Sequence, residues 1–117
     1  MSSHNNISTS ESEDATTLIK THKYLMVSKS WCPDCHYIYN LFTKLNILEK
    51  LYIIELDKFT NTEKADKLES EFNSIVGKKW VPQLFFNGKY WGNESTCKEL
   101  VKSDKLKEEF KKVGLLE

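Results

Sequence analysis

Cys32 and Cys35 stand three residues apart in the stretch Ser30-Trp31-Cys32-Pro33-Asp34-Cys35. Two thiols at this spacing can close a small disulfide, share one metal ion, or let one sulfur attack while the other waits. In disulfide exchange a thiolate attacks one sulfur of a substrate disulfide, and the resulting mixed disulfide is resolved by a second thiol. Cys32 is the better placed attacker. It precedes an amphipathic run, and the unpaired N–H groups and dipole at a helix start favour an anion. Lys29, three residues earlier, adds positive potential. Cys35 lies about one turn further in on the same face, where it is expected to be more buried and to attack Cys32 once a mixed disulfide has formed. Asp34 works the other way. It stabilises the helix start but puts negative charge between the sulfurs, disfavours anionic substrates, and points to a couple near the reducing end of such proteins, roughly −270 mV.

Other chemistries fit less well. Cys32-Pro33-Asp34-Cys35-His36 satisfies the C-x-x-C-H pattern of covalent haem attachment, which needs a secreted or organelle setting. Cys32, Cys35, His36 and Cys97 have the types to hold zinc, but there is no second C-x-x-C. Cys97 shares an apolar helix face with Leu100 and Val101 and reads as a small buried residue. No metal site is assigned, and His36 reads as an exposed helix residue.

The chain has 117 residues, 39% of them hydrophobic and 12% aromatic, which suits one globular domain with a full core. The formal net charge is zero, so no global field recruits nucleic acid or a membrane surface. No apolar run approaches a bilayer span, and the N-terminus has neither the apolar core of a secretory signal nor the arginines of an organelle presequence. An odd cysteine count with two in one C-x-x-C suggests redox chemistry in a reducing compartment, with the cytoplasm as the expected location.

The elements that must position the pair follow from periodicity. Residues 1 to 9 read as a disordered tail and 10 to 117 as a single domain. Ser10-Glu11-Ser12-Glu13 looks like a capping box opening a helix to about Lys23, with Ala15, Leu18 and Ile19 inward. Tyr24 to Ser28 reads as a central parallel strand covered on both faces. Pro33 suits a first helical turn, and Cys35, Ile38, Leu41, Phe42, Leu45 and Leu48 recur at helical spacing. Leu51 to Leu56 reads as a second buried strand. Thr60-Asn61-Thr62-Glu63 is another capping box, followed by a helix facing inward through Ala65, Leu68, Phe72, Ile75 and Val76, with Gly77 as its C-cap. Gln83 to Phe86, Asn87-Gly88 and Lys89 to Trp91 form a two-residue hairpin. Helices from about Ser95 to Val101 and from Ser103 to Val113 complete the chain. A strand–helix–strand unit followed by a hairpin predicts an α/β fold with a four-stranded mixed sheet and helices on both faces. Pro82 suits the first position of a strand, and the sequence alone does not set its isomer.

The stretch Ser28-Lys29-Ser30-Trp31-Cys32-Pro33-Asp34-Cys35, then Val81-Pro82-Gln83-Leu84-Phe85-Phe86-Asn87-Gly88-Lys89, then Gly92, resembles the glutaredoxin family, in particular a divergent fungal dithiol type carrying Trp-Cys-Pro-Asp-Cys. The resemblance covers about residues 11 to 117 and implies a thioredoxin-like fold. It implies Cys32 as nucleophile, Cys35 as resolving thiol, a cis Val81–Pro82 bond that docks the substrate backbone, and glutathione as co-substrate with no tightly bound cofactor. Lys29 matches the family lysine that meets the glycyl carboxylate of glutathione, and Lys79 falls near a basic residue often found before Val-Pro. The departures lie in the glutathione clamp. Asp34 replaces a tyrosine, Trp31 is a thioredoxin trait, Trp80 replaces a threonine, and Thr96 replaces the aspartate that holds the γ-glutamyl amine, with Ser95 kept beside it.

The sequence therefore points to a dithiol thiol–disulfide oxidoreductase of glutaredoxin type with weak glutathione-dependent activity. Its expected partners are glutathione and disulfide-containing small molecules or proteins, not nucleic acid or membrane, and it is expected to be a monomer. The alternatives are a thioredoxin-like protein disulfide reductase that does not use glutathione, and a metal- or iron–sulfur-binding module.

Overall fold

The computed structural model describes residues 7–8 and 13–117. Among these residues five strands make one mixed sheet: β1 (Ile7–Ser8), β2 (Tyr24–Ser28), β3 (Tyr52–Glu55), β4 (Gln83–Phe86) and β5 (Lys89–Gly92), in the order β1-β3-β2-β4-β5. β1, β3 and β2 run parallel, while β4 is antiparallel to β2 and β5 antiparallel to β4. The four strands read from the sequence are all present. The addition is β1, which corrects the reading of a structureless tail at Ile7 and Ser8. It covers the edge of β3, whose N–H and C=O groups would otherwise lack partners on that side. The other residues of that expected tail lie outside the described residues.

Among the described residues five α-helices cover the sheet: α1 (Ala15–Thr21), α2 (Pro33–Lys44), α3 (Thr62–Val76), α4 (Glu94–Lys102) and α5 (Leu106–Lys112). Side-chain alternation along the strands divides the core in two. Met26, Ile53, Leu84 and Phe86 pack on one face with Cys35, Ile38 and Phe42 of α2, Cys97 of α4 and Phe110 of α5. Leu25, Val27, Ile54 and Phe85 pack on the other with Leu18 of α1 and Leu68 and Phe72 of α3. β2 is buried along its whole length, as expected of a central strand covered on both sides.

Local signals held at several ends. Pro33 occupies the first turn of α2, Gly77 ends α3 in the left-handed region at φ 81°, and Asn87-Gly88 turn the hairpin with φ of 57° and 83°. Two caps differ. Asp14, not Ser10, starts α1, its carboxylate accepting from the Thr17 N–H at 2.8 Å. Ser10 lies outside the described residues. Asn61, not Thr60, starts α3, accepting from the Lys64 N–H at 3.1 Å. In both stretches more than one residue has a capping side chain, and the start that sets the apolar stripe on the sheet is the one used. Ile75 is exposed rather than part of the inner face of α3, and α5 starts at Leu106, later than expected.

Candidate active site

β2 delivers the chain to the site and α2 carries it away. Between them the Cys32 N–H donates to the Lys29 carbonyl at 3.1 Å, closing a tight turn. Cys32 is the N-cap residue of α2, and no side chain caps that helix end. Its first-turn N–H groups and the positive end of its dipole are thus left to the sulfur. Ser30 pins the turn from outside. Its N–H donates to Asp57 Oδ1 at 2.9 Å, its hydroxyl donates to Asp57 Oδ2, and its carbonyl accepts from His36 Nε2 at 2.5 Å. Burial works to raise the Asp57 carboxyl, but the side-chain and backbone bonds from Ser30 outweigh it and leave it below its usual 3.8.

Cys32 is 7% exposed and Cys35 fully buried beneath it. Burial pushes the Cys35 thiol up to about 12, against the Ser28 hydroxyl and the Lys29 backbone, which favour its thiolate. The Cys32 thiol faces the Val81 carbonyl at 3.9 Å, and the Val81–Pro82 bond is cis. Pro82 is buried. β2 and β4 are hydrogen-bonded neighbours, and this pairing brings residues about 50 positions apart together at one end of the sheet.

The other sequence-predicted residues sort into a rim and a local scaffold. Trp31 is 66% exposed and Trp80 43%, so both are available to a substrate. Lys29 lies 5.8 Å from the centre of the Trp31 ring, and Lys78 lies 4.7 Å from that of Trp80. Asp34 sits half-buried in the first turn of α2. Lys79 is exposed, on a groove it shares with Lys78, Asn73 and Asp66. Ser95 and Thr96 are tied to the start of α4. The Ser95 hydroxyl donates to Glu94, while the Thr96 hydroxyl accepts from the Asn93 N–H at 3.2 Å in a reciprocal capping box. Thr96 also fills the space beside Gly92, where a Cβ would clash with its side chain.

Glu69 on α3 has no signature in the sequence reading. Its carboxylate holds Lys29 at 3.0 Å, both side chains being about a quarter exposed. Lys29, Trp31, Asp57, Asp66 and Glu69 line one groove beside the cysteines, with three acids against one base. Helix position does not reveal this pair, because Lys29 lies 40 residues away in sequence. Cys97 is fully buried, with its thiol pushed up to about 12 by burial and by Glu94, in keeping with a packing role. Among the described residues, no group of three or more His, Cys, Asp or Glu side chains gathers as metal ligands would.

The glutaredoxin family model matches residues 25–91. Glutaredoxin-8 of Saccharomyces cerevisiae is 36% identical over 102 residues, which cover 87% of this chain and 93% of that protein. The solution structure of yeast dithiol glutaredoxin Grx8 superposes with a TM-score of 0.75, covering 86% of this chain and 92% of that one at 36% identity. The buckwheat glutaredoxin–glutathione complex shares the fold, with a TM-score of 0.73 at 24% identity, covering 88% and 89% of the two chains. Family match, relative and fold agree, and the chain belongs to the glutaredoxin family of thiol–disulfide oxidoreductases.

Proposed function

We propose that Cys32 attacks the substrate disulfide and Cys35 resolves the mixed disulfide, with Val81 and Pro82 docking the substrate backbone beside the sulfur. The observation that carries this reading is the Cys32 thiol at the uncapped start of α2, facing the Val81 carbonyl at 3.9 Å, with Cys35 buried beneath it. In the reaction the attacking thiolate displaces one substrate thiol, and Cys35 displaces the second, leaving a Cys32–Cys35 disulfide. Glutathione then returns the pair to dithiol. Its use is weak because Glu69 already holds Lys29, Asp34 adds negative charge, and the Ser95 and Thr96 hydroxyls are engaged in their own helix start. A reducing compartment such as the cytoplasm, and action as a monomer, suit this chemistry.

A second reading is a protein disulfide reductase that does not use glutathione. It is favoured by the two exposed tryptophans flanking the site, which offer a polypeptide apolar contact that glutathione does not need. Two assays run side by side separate them: glutathione-dependent reduction of a glutathione mixed disulfide, coupled to glutathione reductase, and reduction of insulin with thioredoxin reductase. Turnover in the first, abolished by Cys32→Ser, is the expected result. Activity in the second alone moves the protein to the second reading, and full activity of Cys32→Ser overturns both.

A further inference from the structure

Below the cysteines lies a chain of buried and half-buried polar groups that the scheme above does not use. Ser28 and Glu55 are register partners on β2 and β3, so their side chains emerge side by side on the sheet face under α2. Ser28 is fully buried, and Glu55 is 9% exposed. Tyr39, one turn past Cys35 on α2, reaches down between them. Its hydroxyl lies 2.5 Å from Ser28 Oγ and donates to Glu55 Oε2 at 2.8 Å. The Ser28 hydroxyl in turn acts on the Cys35 thiol, favouring its thiolate. The result is one connected path: Cys35 Sγ, Ser28 Oγ, Tyr39 Oη, Glu55 Oε2. Nothing in packing alone requires a carboxylate, a phenol and a hydroxyl to meet in an apolar core, where unpaired polar groups are costly.

The resolving step needs what such a path supplies. Cys35 must lose a proton to attack, yet it is sealed from water and its burial disfavours the thiolate. We infer that Ser28, Tyr39 and Glu55 form a proton relay that takes the Cys35 proton as it attacks the mixed disulfide on Cys32. The inference rests on the roles proposed above for the two cysteines. In the step, the Cys35 S–H bond breaks and its proton passes to Ser28 Oγ. The Ser28 hydroxyl proton passes to Tyr39 Oη, and the Tyr39 proton passes to the Glu55 carboxylate. The freed electron pair on Cys35 forms the bond to Cys32 Sγ, and the pair of the old disulfide bond leaves with the substrate thiolate. The cysteine pair is oxidised, the substrate thiol is reduced, and Glu55, at the edge of the buried layer, returns its proton to the departing thiolate through solvent. Each hydroxyl bond reverses direction once. Ser28 acts on the reacting thiol, and Tyr39 and Glu55 act through it as positioning residues.

The test separates attack from resolution. Reduced protein is mixed with bis(2-hydroxyethyl) disulfide, a neutral probe, then quenched in acid and weighed by mass spectrometry across pH 6 to 10. Tyr39→Phe keeps the ring and removes the path. It is expected to form the Cys32 adduct at the wild-type rate and to resolve it about 100-fold more slowly at pH 7, the scale of a lost general base. Glu55→Gln, which still accepts from Tyr39, is expected to show the same deficit. Direct deprotonation replaces the relay as pH rises, so the variants gain about tenfold per pH unit and the gap closes. The titratable groups around Cys35 are Cys32 just before α2, Tyr39 on α2, Lys29 just after β2 with its partner Glu69, Glu55 on β3 and Cys97 of α4 in the same core cluster, with His36 against the Tyr39 ring. Wild-type resolution in both variants overturns the relay, as does a deficit that stays constant with pH, which marks a structural effect. Cys35→Ser tests the underlying roles separately: it must accumulate the Cys32 adduct. Failure to do so overturns those roles and the relay with them, whereas an adduct there with unimpaired Tyr39→Phe overturns the relay alone.

Discussion

Glu69 shows how one residue can change the task of another. Lys29 stands at the mouth of the site with a charge that a substrate carboxylate could use, but Glu69 occupies it at 3.0 Å. A quarter-exposed pair of this kind is worth about 0.2–1 kcal/mol, so releasing it gives a modest gain rather than a new activity. Glu69→Gln is expected to raise kcat/KM for a glutathione mixed disulfide about two- to five-fold, mainly through KM, with little change for a neutral disulfide. Equal gains for both substrates would place the effect elsewhere. Raising the salt concentration should shrink the difference between the variant and the parent, since salt screens the pair.

At the scale of elements, the turn before α2 is rigid because it is tied to a second segment. Asp57, in the 3-10 turn that follows β3, binds both the N–H and the hydroxyl of Ser30. The Asp57 carboxyl sits below its usual 3.8 in the folded protein, so its contribution is fully present above that value and is lost as pH falls below it through the lowered folded value. Asp57→Ala is expected to cost about 1 kcal/mol at pH 7, a charged hydrogen-bond pair discounted for its exposure. Urea unfolding should show that cost shrinking as pH falls below 3.8. A cost that persists at pH 2 would show that Asp57 acts through packing instead.

For the molecule as a whole, the two layers are not equally secured. α5 has only seven residues and docks through Leu106 and Phe110, with Leu115 just beyond it. Phe110 is fully buried against Phe42, Phe86 and Trp91. Phe110→Ala should therefore destabilise the protein by about 3–5 kcal/mol, most of the stability of an ordinary small domain. Thermal or urea unfolding checks this. A loss below about 1 kcal/mol would mean that α5 is not part of the cooperative core.

The sequence by itself determined the order of β2 to β5 and of the five α-helices, the two-faced burial of β2 and the placing of Cys32 at a helix start. Each depends on local period or on residues a few positions apart: the apolar run of Tyr24 to Ser28, Pro33 after Cys32, Asn87-Gly88 at the hairpin. The resemblance carried the cis Val81–Pro82 bond, which local propensity leaves open. Helix starts were legible only to within a few residues, because Ser10 and Asp14, or Thr60 and Asn61, cap equally well until a core decides which stripe must face inward. Only tertiary structure decided what surrounds the sulfurs. The pairing of Lys29 with Glu69, of Ser30 with Asp57, and of Ser28 and Tyr39 with Glu55 joins residues on separate elements. Their sequence separations carry no periodic signal. They meet because β2 and β3 align in parallel register and α2 and α3 pack on opposite faces of the sheet.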